Sequence, residues 1–501
     1  MLTGKIKVIR GGENMYYLLT KSLGEENIET NENIKQQLQV FKTYGKRVKI
    51  LTRDFDRFLD SRIQSLKIDN NDVINMFDFF QNTLNFKSLK ITIHEVPEIS
   101  PREYEIIPHG PNYQELRQGG RLIAHAQVMP ATYGQVNYIQ YFDEFGNPTA
   151  TQNYDIRGFK TTEEYFHPNG SQAYTFWFDD KGNRKIILDY MNNPKQKVVP
   201  VDFHLEDYNG NDYEFESINE MFTFFLDEVI KNDQEANIVV NNPEELAAAV
   251  SLMKGKANIS LKYQHLNNRK EIIQDLRIQQ FNQIIVNTNQ QKTILKNDTG
   301  YSQINYVPDM SLTNSQMHHN SLALSKRPGN QVVAIIDFNE KNTFESILLA
   351  CQEVRKNISD ATILLCSKPD PKVDLVEIFK KINSKNLQKI VNVAIDFQGI
   401  QKGIENSKII MYLSKFAGTP TTLLNNFKQR IPAIATTQSD LAELIKKYQI
   451  GPVVENNYKD LSNIITEVLT NRNIQKKYIE SIQNNVSDLS IDNYWRKWKI
   501  N

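Results

Sequence analysis

The chain has only two cysteines, Cys351 and Cys366, in 501 residues. A disulfide framework of the kind that staples small secreted domains is therefore not expected, and both thiols fall in stretches that read as buried helix and strand. Excess charge is also missing. Lys+Arg and Asp+Glu each number 59, which argues against nucleic acid as a partner, because a phosphate backbone selects a net basic face. No eighteen consecutive residues are apolar, and the opening MLTGKIKVIRGGENMYY has no apolar run of signal-peptide length, so the expected location is a reducing cytoplasm. Gly-x-Ser-x-Gly elbows, P-loops and His-Glu-x-x-His are absent. His318-His319 has no Cys, Asp or Glu at metal-ligand spacing and reads as a solvated loop. No metal or cofactor is called for.

What is present begins with size. At 58.1 kDa the chain exceeds one ordinary core, and two or three domains are expected. Between Tyr141 and Lys185, turn glycines recur every twelve residues, at Gly146, Gly158, Gly170 and Gly182. Each follows an aromatic residue and a short polar stretch, and a run of β-branched and aromatic residues comes after it. Glycine accepts the positive φ of a tight turn, and Asn169-Gly170 is the strongest hairpin signal. The spacing predicts an antiparallel meander. Its large side chains include Tyr165, Phe166 and Trp177, which are candidates for partner binding if the sheet is more than structural.

Around the meander the pattern is strand and helix in alternation. Strands are expected at Lys5 to Ile9, Arg47 to Leu51, Lys90 to His94, Ala236 to Val240, Asn258 to Lys262 and Gln283 to Val286. Helices are expected at Met15 to Leu23 after Gly11-Gly12, Asn31 to Tyr44, Asp72 to Phe86, Met221 to Ile230, Leu246 to Met253 and Lys270 to Arg277. A linker at Leu322 to Asn330 leads to a second strand series at Val332 to Ile336, Ala361 to Leu365, Ile390 to Val393, Lys408 to Leu413 and Ala433 to Ala435. The expected architecture is two facing Rossmann-like domains, the first carrying the β insertion. Its boundaries are 1–99, 100–215 (meander), 216–325, 326–485 and a last helix at 486–501. That helix, with Asn493-Tyr494-Trp495-Arg496-Lys497-Trp498-Lys499, suits packing back onto the first domain or, through its aromatic-basic interleaving, a membrane interface.

Two facing Rossmann-like domains are the GT-B architecture of glycosyltransferases. The segment from Ser414 to Phe427, followed by Gln429-Arg430-Ile431-Pro432-Ala433-Ile434-Ala435, resembles the retaining members of that class. Their motif places two glutamates eight positions apart, and here those positions are Ala417 and Asn425. A second resemblance lies at Ala334 to Lys341, where relatives keep an Arg and, five residues on, a Lys to clamp the donor diphosphate. Lys341 is present, but the arginine position is Ile336. The resemblance also places His265 near the sugar. Losing one preorganised group at a developing charge costs about 3 kcal/mol, or about two decades of rate, so the resemblance implies a protein that does not transfer sugar. Thr419, Thr421, Thr422, Lys341 and His265 would then be the groups left to contact a glycan.

The stretches Glu29 to Lys42, Gly45 to Leu51, Ile74 to Gln81 and Tyr154-Asp155-Ile156-Arg157-Gly158-Phe159 together resemble the first of the three Asp proteins of the accessory Sec system. That resemblance implies a GT-B-like, catalytically decayed component of the machinery that exports O-glycosylated serine-rich repeat adhesins. Its partners would be the other two Asp proteins, the glycosylated adhesin and, indirectly, the accessory Sec motor and channel. It implies a cytoplasmic location, at most peripheral to the inner face of the membrane. Two alternatives stay open: a non-catalytic companion of an O-GlcNAc transferase, and a divergent active retaining enzyme using a UDP-sugar.

Overall fold

A computed structural model describes residues 15–24, 28–192, 197–233, 235–266, 280–317, 323–367, 372–395, 397–415 and 418–498. The expected strand at Lys5 to Ile9, the glycine pair Gly11-Gly12, the helix at Lys270 to Arg277, His318-His319 and Ala417 lie outside the described residues. The chain forms two compact units. One comprises residues 1–27 and 45–260, the other residues 28–44 and 261–501. The division falls at Ser260 within a strand, where the sequence reading places a domain boundary at residue 325.

Among the described residues there are three sheets. The first has seven strands in the order Ile304–Tyr306, Gln283–Val286, Ala257–Tyr263, Ala236–Val240, Met15–Thr20, Arg47–Thr52 and Val73–Asn75. Met15–Thr20 runs parallel to both its neighbours. This central strand corrects the helix expected at Met15 to Leu23. Tyr16, Tyr17, Leu18 and Leu19 are all buried, and a run apolar on both faces is what a central parallel strand needs. The helix expected at Asp72 to Phe86 shrinks to Met76–Phe80 after the short strand Val73–Asn75, since its phenylalanines pack on several elements instead of along one helical stripe. Lys90 to His94 is no strand either: a single bridge joins Thr92 to Gln135, and Ile93–Glu95 forms one 3₁₀ turn.

The meander is a ten-stranded antiparallel sheet in sequential order from Glu105–Pro108 to Asn211–Phe215. All four turn glycines have positive φ, between +79° and +95°. In three of the turns an aspartate closes the loop, Oδ1 of Asp143, Asp155 and Asp179 accepting from the backbone N–H two residues on. In the remaining one, Asn169 Oδ1 accepts from Ser171 N–H. This is the Asx-turn chemistry that makes Asp and Asn turn formers. Along the sheet, burial alternates. Trp177, Ile186, Leu188 and Leu205 face the core, while Tyr174, Phe176, Ile187 and His204 face outward. Arg157, buried, donates to Asp155, Asp78 and the Thr83 carbonyl, fixing the meander to the segment after the helix Met76–Phe80.

The third sheet has six strands in the order Val391–Ala394, Ala361–Cys366, Asn330–Ile335, Ile409–Tyr412, Ala433–Thr436 and Val453–Val454. All its pairs are parallel. Counted along the chain this is the Rossmann order 3-2-1-4-5-6, with the reversal between Asn330–Ile335 and Ile409–Tyr412. Helices cover both faces with apolar side chains. No helix among the described residues is long and apolar enough to cross a membrane.

Gly158 and Gly170 make a matched pair for testing the turns. At Gly170 nothing lies within 4 Å of an added Cβ, whereas at Gly158 it would meet the Leu89 carbonyl oxygen at 2.0 Å. Urea unfolding should show Gly170→Ala losing about 1–2 kcal/mol from backbone strain alone, and Gly158→Ala about 1–3 kcal/mol more from overpacking. Equal losses would contradict the close approach at Gly158.

Candidate functional site

In open α/β sheets ligands bind outside the carboxyl ends of the strands, at the point where strand order reverses. Here that crevice lies between the segment after Ile335 and the segment after Tyr412. It is bridged by the chain itself. Asp337 N–H donates to Ser414 Oγ at 2.8 Å, and Lys415 N–H donates to Glu340 Oε1 at 3.2 Å. Glu340 is the N-cap of the helix Lys341–Asn357. Its other carboxylate oxygen accepts from Thr343 and Gln438, and Gln438 also donates to the Leu413 carbonyl. A helix N-terminus favours an anion, and here a side-chain carboxylate sits at that place. Ile336, in the position where the resemblance expects arginine, is 2% exposed and packs in the core. Gly418, with φ +87°, brings its backbone against Tyr412 and Thr422, where a Cβ would come within 3 Å of both.

A second polar cluster is buried in the same unit. Lys262 and Asp309 form an ion pair at 2.9 Å with both side chains fully buried. Tyr494 donates its hydroxyl to Asp309 Oδ1 at 2.7 Å, and Gln264 donates to Oδ2 at 3.1 Å. The Lys262 ammonium also donates to the Val307 carbonyl and lies over the Trp498 ring. Burial lowers the Lys262 pKa and, with Asp309 beside it, raises that of Tyr494. Around this pair the helix Ile28–Thr43 packs on the C-terminal helix Ile491–Lys497, through Phe41 against Trp495 and Trp498 and Tyr44 stacked on Trp495. The aromatic residues of the C-terminal stretch are thus engaged in packing.

The candidate residues fare differently. His265, buried, has its ring Nδ1 at 3.4 Å from Asp440 Oδ2, and Gln291 donates to the same carboxylate oxygen. Nearby, Glu443 accepts from the Asn289 and Gln290 N–H groups at the start of the helix Asn289–Thr299. Lys341 is exposed at the first position of its helix. The three threonines correct the expectation that their hydroxyls are available. Thr419 and Thr422 form the capping box of the helix Pro420–Gln429, and Thr421 donates to Asn33 and to the Asp309 carbonyl. Asn425 is half-buried on that helix. Among the partner-binding candidates, Tyr165 is exposed and Phe166 is half-buried. Trp177 is 5% exposed and packs on Phe55 and Phe77, so it is a core residue of its unit. Sequence reading missed Glu340, Ser414, Asp440 and the Lys262–Asp309 pair. Glu340 stands one residue before the lysine that the motif singles out, and Lys262 is a charge inside a strand of otherwise apolar residues.

Comparison with known proteins bears on the fold. Residues 324–485 match the family described as Glycosyl transferases group 1. No curated protein matches the sequence. Among solved structures, the chain is similar to a variant of Staphylococcus aureus TarM in complex with fondaparinux, alpha-GlcNAc-glycerol and UDP (TM-score 0.76, 17% identity, 97% of this chain and 99% of that one). It is also similar to the Glycosylation Associate Protein (Gap123) complex of Streptococcus agalactiae (0.72, 14%, 96% and 99%) and to the pneumococcal O-GlcNAc transferase GtfA bound to UDP and GlcNAc (0.75, 13%, 98% and 98%). The fold is GT-B, the two-Rossmann architecture of glycosyltransferases, with an antiparallel meander inserted in the first Rossmann-like part. Within that class, the similar structures include both transferases and components of glycosylation-associated complexes.

The buried pair supplies a stability test. Asp309→Ala leaves the Lys262 ammonium buried without a counter-charge and should cost about 3–5 kcal/mol in chemical denaturation. Lys262→Met combined with Asp309→Leu should recover most of that loss. A double variant no better than the single would contradict the assignment of Asp309 as the counter-charge.

Proposed function

We propose that this protein is a non-catalytic GT-B component of an accessory Sec glycoprotein-export complex, recognising O-glycosylated serine-rich adhesins without transferring sugar to them. The observation that carries the reading is the state of the switch-point crevice. A donor diphosphate needs cations there; this chain keeps Lys341 but puts buried Ile336 in the arginine position and the Glu340 carboxylate at the helix start. A like charge at that spot opposes a diphosphate, and an isoleucine contributes no compensating donor. Asn425 replaces a carboxylate that would accept hydrogen bonds from hydroxyls. The likeness to the Gap123 complex and to the complex of accessory secretory proteins 1, 2 and 3 of Streptococcus pneumoniae supports an assembly role alongside other proteins of that system. His265 and Lys341 are the candidate glycan contacts on this reading. Thr419, Thr421 and Thr422 serve the fold.

A second reading rests on the likeness to the GtfA/B complex (TM-score 0.71, 12% identity), which supports a companion subunit of an O-GlcNAc transferase. Pull-down separates the two: recovery of the other accessory Sec proteins favours the first, and recovery of a transferase alone favours the second.

Absence of catalysis is tested by incubating the purified full chain with UDP-GlcNAc or UDP-glucose and a Ser/Thr-rich acceptor peptide. The expected outcome is no transfer and no donor hydrolysis above the protein-free control. Turnover comparable to an active GT-B enzyme would overturn the proposal.

A further inference from the structure

We propose that the outer face of the meander carries a separate site for a neutral saccharide. It does not rest on the reading of the switch-point crevice, because it lies wholly in the other unit. Between the strands Gln172–Phe178 and Asn211–Phe215 an open groove of about 420 Å³ is lined by Tyr174, Phe176, Arg184, Asp189, His204 and Glu206, with Asp212 and Glu214 at its rim. That volume lies within the range of small-molecule sites. Register explains the lining: Phe176 pairs with Ile187, Ile187 with His204 and His204 with Glu214, so their side chains emerge on one face. The opposite face is spent on the core through Trp177, Ile186 and Leu205.

The chemistry of this lining selects the ligand. Tyr165, Phe176 and Tyr174 form a continuous run of rings, with centroids 5.3 and 6.1 Å apart, and the two tyrosines are exposed. Beside the rings stands a row of fixed polar groups. Arg184 makes a bidentate pair with Glu206 at 2.6 and 2.7 Å while its guanidinium lies over Phe176. His204 sits between Asp189 at 3.4 Å and Glu214 at 3.6 Å. Flat rings stack on the C–H face of a pyranose, and carboxylates accept from its hydroxyls. Arg184 and Glu206 hold each other's geometry, so the remaining lone pairs of that carboxylate are aimed without further ordering cost.

Two other ligand classes fit less well. Four carboxylates (Asp189, Glu206, Asp212, Glu214) face one guanidinium (Arg184) in the groove, which repels phosphates and sulfated or phosphorylated polymers. A protein partner would have to desolvate the Arg184–Glu206 ion pair within the contact, whereas interface cores are depleted of charge. A sugar leaves those groups hydrogen-bonded throughout.

The test uses the full chain and saturation-transfer NMR with titration calorimetry. The probes are N,N′-diacetylchitobiose and maltose, with a heparin tetrasaccharide and a lysine-rich peptide as comparators. Tyr174→Ala and Asp189→Asn, both at exposed or half-exposed positions, are checked for unchanged melting temperature. Binding of at least one neutral disaccharide is expected, weakened about tenfold by either substitution. The proposal is overturned if neither disaccharide binds, if only the anionic or the basic comparator binds, or if both groove variants bind as the unaltered chain does. Binding lost in His265→Ala and retained in Tyr174→Ala would place the sugar at the other unit's candidate contacts and sink this site alone.

Discussion

The ion pair between Lys262 and Asp309 is the constraint around which the second unit is organised. Both groups are fully buried, and a charge in that environment is tolerable only if every hydrogen-bonding position is filled. The partners that fill them come from distant parts of the chain: Gln264 follows the same strand, Tyr494 and the Trp498 ring belong to the C-terminal helix, and Thr421 reaches the Asp309 carbonyl from the helix Pro420–Gln429. The arrangement gives the unit one set of positions for these elements, because moving any of them strands a charge.

That rigidity bears on the crevice at the strand-order reversal. Thr421 belongs to the helix whose capping box holds Thr419 and Thr422, and Gly418 lies against Tyr412 just before it. The helix Pro420–Gln429 is therefore anchored from behind. On the facing segment Glu340 takes the Lys415 N–H and Ser414 takes the Asp337 N–H. The crevice is held by the chain's own hydrogen bonds, and a carboxylate, Glu340, stands at the helix start beside it.

Much of this was legible in the sequence, and the reasons are physical. The twelve-residue glycine period announced the meander because positive φ and Asx turns are local properties of a few residues. The second strand series was equally readable, since short β-branched runs between amphipathic helices have one sensible arrangement. Failures occurred where tertiary context outweighs local pattern. Met15 to Leu23 reads as an aromatic-aliphatic helix, but its continuous burial makes it a central strand. The phenylalanines after Asp72 support one helical turn and no more. At the site, the motif spacing singled out Ile336 and Asn425, yet no spacing could say that the threonine hydroxyls are bound to Asn33, to a carbonyl and to one another. Trp177 illustrates the same limit: alternation assigns it to a face, and only the packing of Phe55 and Phe77 shows which face is buried.

The account's central claim is that the reversal-point crevice no longer accepts a nucleotide diphosphate. Calorimetric titration of the full chain with UDP tests it most directly. The account predicts no saturable binding by the unaltered protein and a measurable gain on Glu340→Gln, which removes the carboxylate while keeping its shape. Micromolar binding of UDP by the unaltered chain would contradict it.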